Sequence, residues 1–81
     1  MNVYIARGFF EYEDGTIKEL MKVCSSRKKA LEYYERFVSQ IQRYLKGRNI
    51  INRLDGRDYL HLADEDGGHY TIYVRRKKVE D

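Results

Sequence analysis

The chain's single cysteine is the first side chain that could do covalent chemistry. Cys24 is followed closely by Arg27, Lys28 and Lys29, and cations at a helix N-terminus favour the nucleophilic thiolate form of a cysteine. A catalytic cysteine also needs a base and a group that orients the base, and no neighbour in the sequence supplies either one. We therefore interpret Cys24 as a partly buried residue at a strand-to-helix junction, and we predict no catalytic residue.

The two histidines and the acidic residues between them could bind a metal ion. His61 and His69 flank Asp64 and Asp66, but zinc needs three or four converging ligands, and one hairpin supplies two histidines at best. The DEDG run at 64–67 matches only part of a calcium loop, because the terminal bidentate Glu is missing. We predict a charged hairpin tip that holds no metal and no cofactor.

A cationic segment offers binding chemistry instead. Residues 22–53 contain nine Lys or Arg residues and two Glu residues. On a helix, its cations would form one face with two tyrosines at the border, able to contact phosphates or an acidic protein. The same face could simply be solvated, with Glu32 and Arg36 forming an i,i+4 pair. Because Tyr and Arg are enriched at interface centres, we expect it to bind an acidic protein partner or a second copy of the chain. The predicted contact residues are Lys29, Tyr33, Arg36, Arg43 and Tyr44.

A second candidate surface is the sheet face turned away from the helix. Its predicted mixture of tyrosines and cations resembles the platforms that stack single-stranded bases, although the chain lacks the element order and motifs of RNA-recognition domains. Cross-strand packing of the tyrosines or a dimer contact would explain the same composition. Together with the basic C-terminal run Arg75–Lys78, this side would form an alternative nucleic-acid surface. Its residues are Arg7, Lys22, Tyr59, His61, Tyr73, Arg75 and Arg76.

The elements that position these residues begin with a hairpin over residues 2–24. Asp14-Gly15 is a strong signal for a two-residue type I′ turn, which needs a positive φ at both central positions. The resulting register turns Met21 toward the core and places Lys22 opposite Arg7 on the other side of the sheet.

A helix is predicted over residues 26–46. Ser25 or Ser26 supplies the N-cap oxygen, and Gly47 is a favourable residue just after the last turn. Apolar residues recur at spacings of three and four, which is typical of a helix with one face on a sheet. This stripe consists of Ala30, Leu31, Tyr34, Phe37, Val38, Ile41 and Leu45.

A second hairpin is predicted over residues 58–75. A three-residue loop ending in a left-handed Gly67 would pair Leu62 with Tyr70 and turn both inward. A two-residue loop would instead turn His61 inward.

The predicted element order is ββαββ. Residues 48–57 indicate a loop or a short strand through Ile50–Leu54, and residues 76–81 indicate a solvated tail. A helix of about 20 residues spans about 30 Å and matches a nine-residue strand. We therefore predict a single α+β domain, with a small antiparallel four-stranded sheet and one helix packed on one face.

Composition and cysteine usage favour a folded cytoplasmic protein. The 81 residues are 42% hydrophobic and 36% charged with both signs mixed, which is typical of a globular chain. One cysteine cannot form an internal disulfide. The start of the chain lacks a signal-peptide pattern, and no apolar run approaches the about 20 residues that cross a bilayer, so we expect no membrane partner.

The segments VYIARGFFEYEDG and VCSSRKKALEYY together resemble the strand–turn–strand–helix start of small uncharacterised bacterial and phage proteins. The resemblance covers about half of the chain and assigns no functional residue. It implies a compact accessory protein or phage-type inhibitor that works by contact. Together with the missing catalytic set, it leads us to expect a non-enzymatic binding protein.

Overall fold

Residues 1–79, the part of the chain that the computed structural model describes, form one helix and five strands. All strands are antiparallel to their neighbours, in the sheet order β2-β1-β5-β4-β3. The predicted α+β class with an antiparallel sheet and one helix is confirmed, but the predicted four strands are one too few. The elements are β1 (Asn2–Glu11), β2 (Ile17–Cys24), α1 (Arg27–Leu45), β3 (Ile50–Asp55), β4 (Tyr59–Asp64) and β5 (His69–Lys78).

The additional strand is β3, which lies at one edge of the sheet beside β4. All of its residues are exposed, because α1 packs on β1, β2 and β5 and leaves this edge uncovered. A bulge between Ile50 and Asn52 further interrupts its pairing with β4. A strand with no buried side shows no alternation of apolar and polar residues, which explains why β3 was only weakly indicated by its residues.

The last strand continues into the segment predicted to be a solvated tail. Lys78 pairs with Asn2 at the start of β1, and the N–H of Val79 donates to the carbonyl of Met1 at 2.8 Å. The ten-residue length of β1 provides the partner that the prediction did not consider. The tail prediction is therefore wrong for residues 76–78, which belong to β5, and its residues 80 and 81 lie outside the described residues.

The loop of the first hairpin contains three residues rather than two. The N–H of Gly15 donates to the carbonyl of Tyr12 at 2.9 Å, and the N–H of Tyr12 donates to the carbonyl of Thr16 at 2.8 Å. Gly15 has a φ of 87°, whereas no non-glycine residue among those described has a positive φ. A type I′ turn would require a positive φ at Asp14 as well, so the predicted turn is wrong.

This loop shifts the register of β2 by one residue, and Gly8 pairs with Leu20 instead of Met21. A shift of one residue turns every side chain of a strand to the opposite side of the sheet. We call the side that carries α1 the helix side and the opposite one the outer side. Lys22 therefore lies on the helix side and Met21 on the outer side, the reverse of the prediction.

The second hairpin has the predicted three-residue loop. Gly67 has a φ of 99°, and Leu62 pairs with Tyr70. Both side chains are buried, with exposed fractions of 3% and 0%. His61, paired with Thr71, points to the outer side as predicted.

The core forms where the apolar stripe of α1 packs on the centre of the sheet. The Ser26 hydroxyl accepts a hydrogen bond from the N–H of Lys29 at 3.2 Å and caps the helix, while Cys24 is buried at the end of β2 as predicted. Among the described residues, no helix has the length and apolar character that crossing a membrane would require. The buried core residues are Ala6, Phe10, Cys24, Ala30, Tyr34, Phe37, Ile41, Leu45, Leu60, Leu62, Tyr70, Ile72 and Val74.

Candidate functional site

The N-terminal half of α1 carries a group of cations around one aromatic ring. The Nζ atoms of Lys22 and Lys29 lie 5.5 and 5.8 Å from the centroid of the Tyr33 ring, and Cζ of Arg36 lies 5.0 Å from it. Tyr33 is half-buried, and the core residues on which it packs hold its ring in place. We call Lys22, Lys29, Tyr33 and Arg36 the Tyr33 cluster.

Most of the positive charge in the Tyr33 cluster is not neutralised by neighbouring acids. Lys29 forms an i,i+3 ion pair with Glu32 at 3.2 Å, rather than Glu32 pairing with Arg36 as the sequence suggested. Within residues 1–79, neither Lys22 nor Arg36 takes part in an ion pair. Cation–π contact is worth about 0.5–1 kcal/mol at exposed sites and opposes the repulsion between the grouped cations.

Lys22 is the member of this cluster that sequence reasoning assigned to the wrong surface. It was expected on the outer side, among the nucleic-acid-binding residues. The one-residue register shift of β2 instead brings it to the helix side, where it reaches Tyr33. The local signal, Asp14-Gly15, favoured the other register, although the same residues also fit a three-residue loop with a positive φ at Gly15.

The C-terminal half of α1 contains the other two predicted contact residues, Arg43 and Tyr44. Arg43 is exposed and donates from Nε to the carbonyl of Ser39 at 3.4 Å, which leaves most of its guanidinium accessible. The Tyr44 ring packs edge-on against Tyr12 at 4.9 Å, and its hydroxyl donates to Glu13 at 3.2 Å. Tyr44 therefore secures the helix to the first hairpin loop, although the residue is 37% exposed.

Arg48 is a structural residue that the sequence reasoning did not identify. Its Nη1 lies 3.2 Å from Glu13 and 3.4 Å from Asp66, which belong to the two hairpin loops. Its Cζ lies 4.7 Å from the centroid of the Tyr44 ring. The only sequence signal for Arg48 was its position directly after Gly47, at the predicted end of the helix. In the structure, the two hairpin loops lie at this same end. Arg48 thus joins three loops at one end of the molecule.

The outer side brings together five of the seven residues predicted to bind nucleic acid. Arg7, Tyr73 and Tyr59 form one row across neighbouring strands. Arg7 donates to the Tyr73 hydroxyl at 3.3 Å and also pairs with Glu19 at 3.2 Å. The carboxylate of Glu19 partly cancels the positive charge that a phosphate would need. The five residues on this side are Arg7, Tyr59, His61, Tyr73 and Arg75.

Arg76, which was predicted to bind nucleic acid as part of the basic C-terminal run, lies on the helix side of β5 and not beside the outer-side residues. It pairs with Tyr4. Tyr4 lies on the same side of β1 as Ala6, which is buried under the helix. Arg76 lines a cleft of about 270 Å³ together with Tyr4, Arg27, Asp58 and Val74. Arg27 pairs with Asp58 at 3.1 Å, whereas Arg76 has no ion pair within residues 1–79. Because these lining residues include no Ser, Cys or His, they form no nucleophile–base pair.

The two histidines lie on the outer side, but they do not converge on a common point. Their rings stack at 5.8 Å with 27° between the planes, and Nδ1 of His61 lies 2.9 Å from the Thr71 hydroxyl. Among the described residues, no group of three or more His, Cys, Asp or Glu side chains could hold a metal ion.

Asp64 has a structural role at the tip of the second hairpin. Its buried carboxylate accepts hydrogen bonds from the Tyr70 hydroxyl at 2.7 Å and from the N–H groups of Gly68 and Asp66 at 2.9 and 3.0 Å. Burial alone raises the pKa of the Asp64 carboxyl, but the three hydrogen bonds outweigh burial and hold the pKa below its ordinary value. Burial and the bond to Asp64 raise the pKa of Tyr70. The acidic tip is thus occupied by intramolecular contacts.

Comparisons of the chain with protein-family models, curated proteins and solved structures found no match.

Proposed function

We propose that the protein is a cytoplasmic, non-enzymatic binding protein that contacts an acidic protein through the exposed face of α1. The observation that carries this proposal is the Tyr33 cluster, in which three cations surround one ring and two of them have no ion pair within residues 1–79. An accessory or inhibitor protein of this size can act by such contact alone.

The arrangement suits a partner of opposite charge for a physical reason. Grouped cations repel one another, and a carboxylate-rich surface that contacts them relieves this repulsion while adding charge-assisted hydrogen bonds. Complementary charge also accelerates association. The ring of Tyr33 supplies the apolar contact that commonly accompanies Arg at an interface centre. The proposed contact residues are Lys22, Lys29, Tyr33, Arg36 and Arg43.

The cytoplasmic and non-enzymatic parts of the proposal rest on Cys24 and on the cleft beside Arg76. Cys24 is free and buried, which suits a reducing compartment and keeps the thiol away from substrates. The cleft contains no nucleophile–base pair among its lining residues, and such a pair is the usual requirement for covalent catalysis.

Affinity capture from an extract of the producing cells tests the proposal. The wild type is compared with Arg36→Glu/Arg43→Glu, and with the matched control Arg57→Glu/Lys78→Glu, which makes the same change in net charge at other exposed positions. We expect an acidic protein, identified by mass spectrometry, to be captured by the wild type and the control and to be lost from the helix variant. Equal capture by all three, or capture of no acidic protein, would exclude this surface.

A further inference from the structure

The edge strand β2 turns three apolar side chains away from the helix, although Leu20 and Cys24 pack on the helix side. Ile17, Met21 and Val23 lie on the outer side with exposed fractions of 53%, 61% and 59%, whereas Lys18 and Lys22 lie on the helix side. A strand in a sheet covered on one side normally shows the reverse pattern, with apolar residues toward the core. The pattern of β2 is therefore that of a strand whose outer side is covered as well.

Neighbouring strands continue this apolar surface across the sheet. Ile5 and Phe9 are half-buried on β1, and Leu54 and Tyr59 are exposed by 55% and 39% on β3 and β4. No element within residues 1–79 packs on this side. Five strands about 4.8 Å apart and roughly 20–33 Å long give a face of about 600 Å², which matches the lower bound of about 600 Å² per partner for a specific interface.

Apart from Arg7, which lies at mid-strand and pairs with Glu19 at 3.2 Å, the charged residues of the outer side are separated into two ends. Arg75 and Lys77 lie at one end of the strands, opposite Ile5 and Val3. Glu11 and Glu19 lie toward the other end, opposite His69 and Phe9. A second copy rotated by 180° about an axis in the sheet plane, perpendicular to the strands, would bring each basic end onto the acidic end of its partner.

From this pattern we infer that the protein forms a two-fold symmetric dimer by packing the outer sides of two copies face to face. An isologous interface must be complementary to itself. Opposite charges at the two ends of the strands meet this condition, and the charge of Arg7 between them is already paired with Glu19. A nucleic acid suits the surface less well, because Glu11 and Glu19 would meet phosphates while Lys22 and Arg76 lie on the helix side. This inference does not depend on the proposed contact through α1.

Sedimentation equilibrium of the full chain tests the dimer. We expect the wild type to approach twice the 9.8 kDa mass of the chain as concentration rises, and Met21→Lys/Val23→Lys to remain at the monomer mass with an unchanged circular dichroism spectrum. Arg36→Glu/Arg43→Glu should still dimerise, because those residues lie on the helix side. A monomeric wild type at millimolar concentration, or a lysine variant that still dimerises, would overturn the inference.

A charge exchange tests the orientation of the two copies. Arg75→Glu/Lys77→Glu makes both ends of the outer side acidic, and Glu11→Lys/Glu19→Lys makes both ends basic. We expect each variant alone to dimerise at least about tenfold more weakly than the wild type, and an equimolar mixture of the two to recover the dimer. A mixture that stays monomeric would contradict this orientation.

Binding of a single-stranded oligonucleotide provides the competing outcome. A fluorescein-labelled oligothymidine is titrated with the wild type and with Tyr59→Ala/Tyr73→Ala at low and at moderate salt. The dimer inference expects no binding. Binding that weakens steeply with salt and is lost in the tyrosine variant would assign the outer side to nucleic acid instead.

Discussion

The two sides of the sheet expose their apolar side chains very differently. On the helix side, Phe10 and Tyr70 have exposed fractions of 0%, and α1 covers them. On the outer side, Met21 and Val23 are exposed by 61% and 59%, although they belong to a strand of the same sheet. The stability of the single chain therefore comes chiefly from the helix side, and the apolar residues of the outer side require another explanation.

The largest difference between the sides should appear at two adjacent phenylalanines of β1. Phe10 is fully buried, and truncating a buried aromatic residue costs about 3–5 kcal/mol. Phe9 is half-buried on the outer side, so Phe9→Ala should lower the free energy of unfolding by only about 1 kcal/mol. Urea unfolding at one low protein concentration measures both. Equal losses would mean that the outer side is as important for the fold as the helix side.

A smaller difference is expected for two tyrosine hydroxyls on β5. Tyr70→Phe removes the donor to buried Asp64 and should cost about 1–3 kcal/mol, the penalty for leaving a buried acceptor unpaired. Tyr73 accepts from Arg7 on the half-exposed outer side, so Tyr73→Phe should cost less than about 0.5 kcal/mol. Thermal unfolding of both variants tests this order, and a larger effect at Tyr73 would contradict it.

The Asp64–Tyr70 pair should also make stability depend on acid pH. Because the pKa of Asp64 is held below its ordinary value in the folded state, the carboxylate stabilises the fold above the ordinary pKa of about 4. This contribution is lost as pH falls through the lower, folded pKa. Tyr70→Phe removes one of the hydrogen bonds that lower the pKa, so the difference in unfolding free energy between wild type and variant should shrink at acid pH. A constant difference from neutral to acid pH would show that Asp64 is not the titrating partner.

The smallest expected difference concerns two adjacent residues of β2. Leu20 is half-buried against the core, so Leu20→Ala should cost about 1 kcal/mol, whereas Met21→Ala should stay within about 0.5 kcal/mol. Urea unfolding at the same low concentration compares them. A larger loss at Met21 would indicate the register that the sequence alone predicted.

The elements with complete local signals were predictable from the sequence. The helix has a capping serine, a stripe of apolar residues and Gly47, and its observed bounds, Arg27–Leu45, lie within the predicted range. The second hairpin has Gly67, and only one loop length turns Leu62 and Tyr70 inward together. In both cases the turn chemistry and the apolar pattern favour the same structure.

The register of the first hairpin was not predictable in the same way. Asp14-Gly15 was interpreted as a two-residue type I′ turn, and the register followed from that turn. The same two residues also fit a three-residue loop in which only Gly15 has a positive φ. The apolar residues of β2 did not correct the choice, because they lie on both sides of the strand.

The candidate site was predictable only in part, because it combines residues from separate elements. The positions of Lys29, Tyr33 and Arg36 follow from helix periodicity alone, and the structure brings them together. Lys22 joins them through the register of β2. Tyr44 contacts Glu13 and Arg48, which approach it from two loops, and contacts of this kind have no signature in a single sequence.

The affinity of the captured acidic protein for charge-reversed variants tests the central claim most directly. Arg36→Glu/Arg43→Glu should bind at least about tenfold more weakly than the wild type, since close charge pairs across an interface are commonly worth more than about 1.4 kcal/mol. The control Arg57→Glu/Lys78→Glu should bind as the wild type does. Equal affinities for the wild type and the helix variant would contradict a contact through the cationic face of α1.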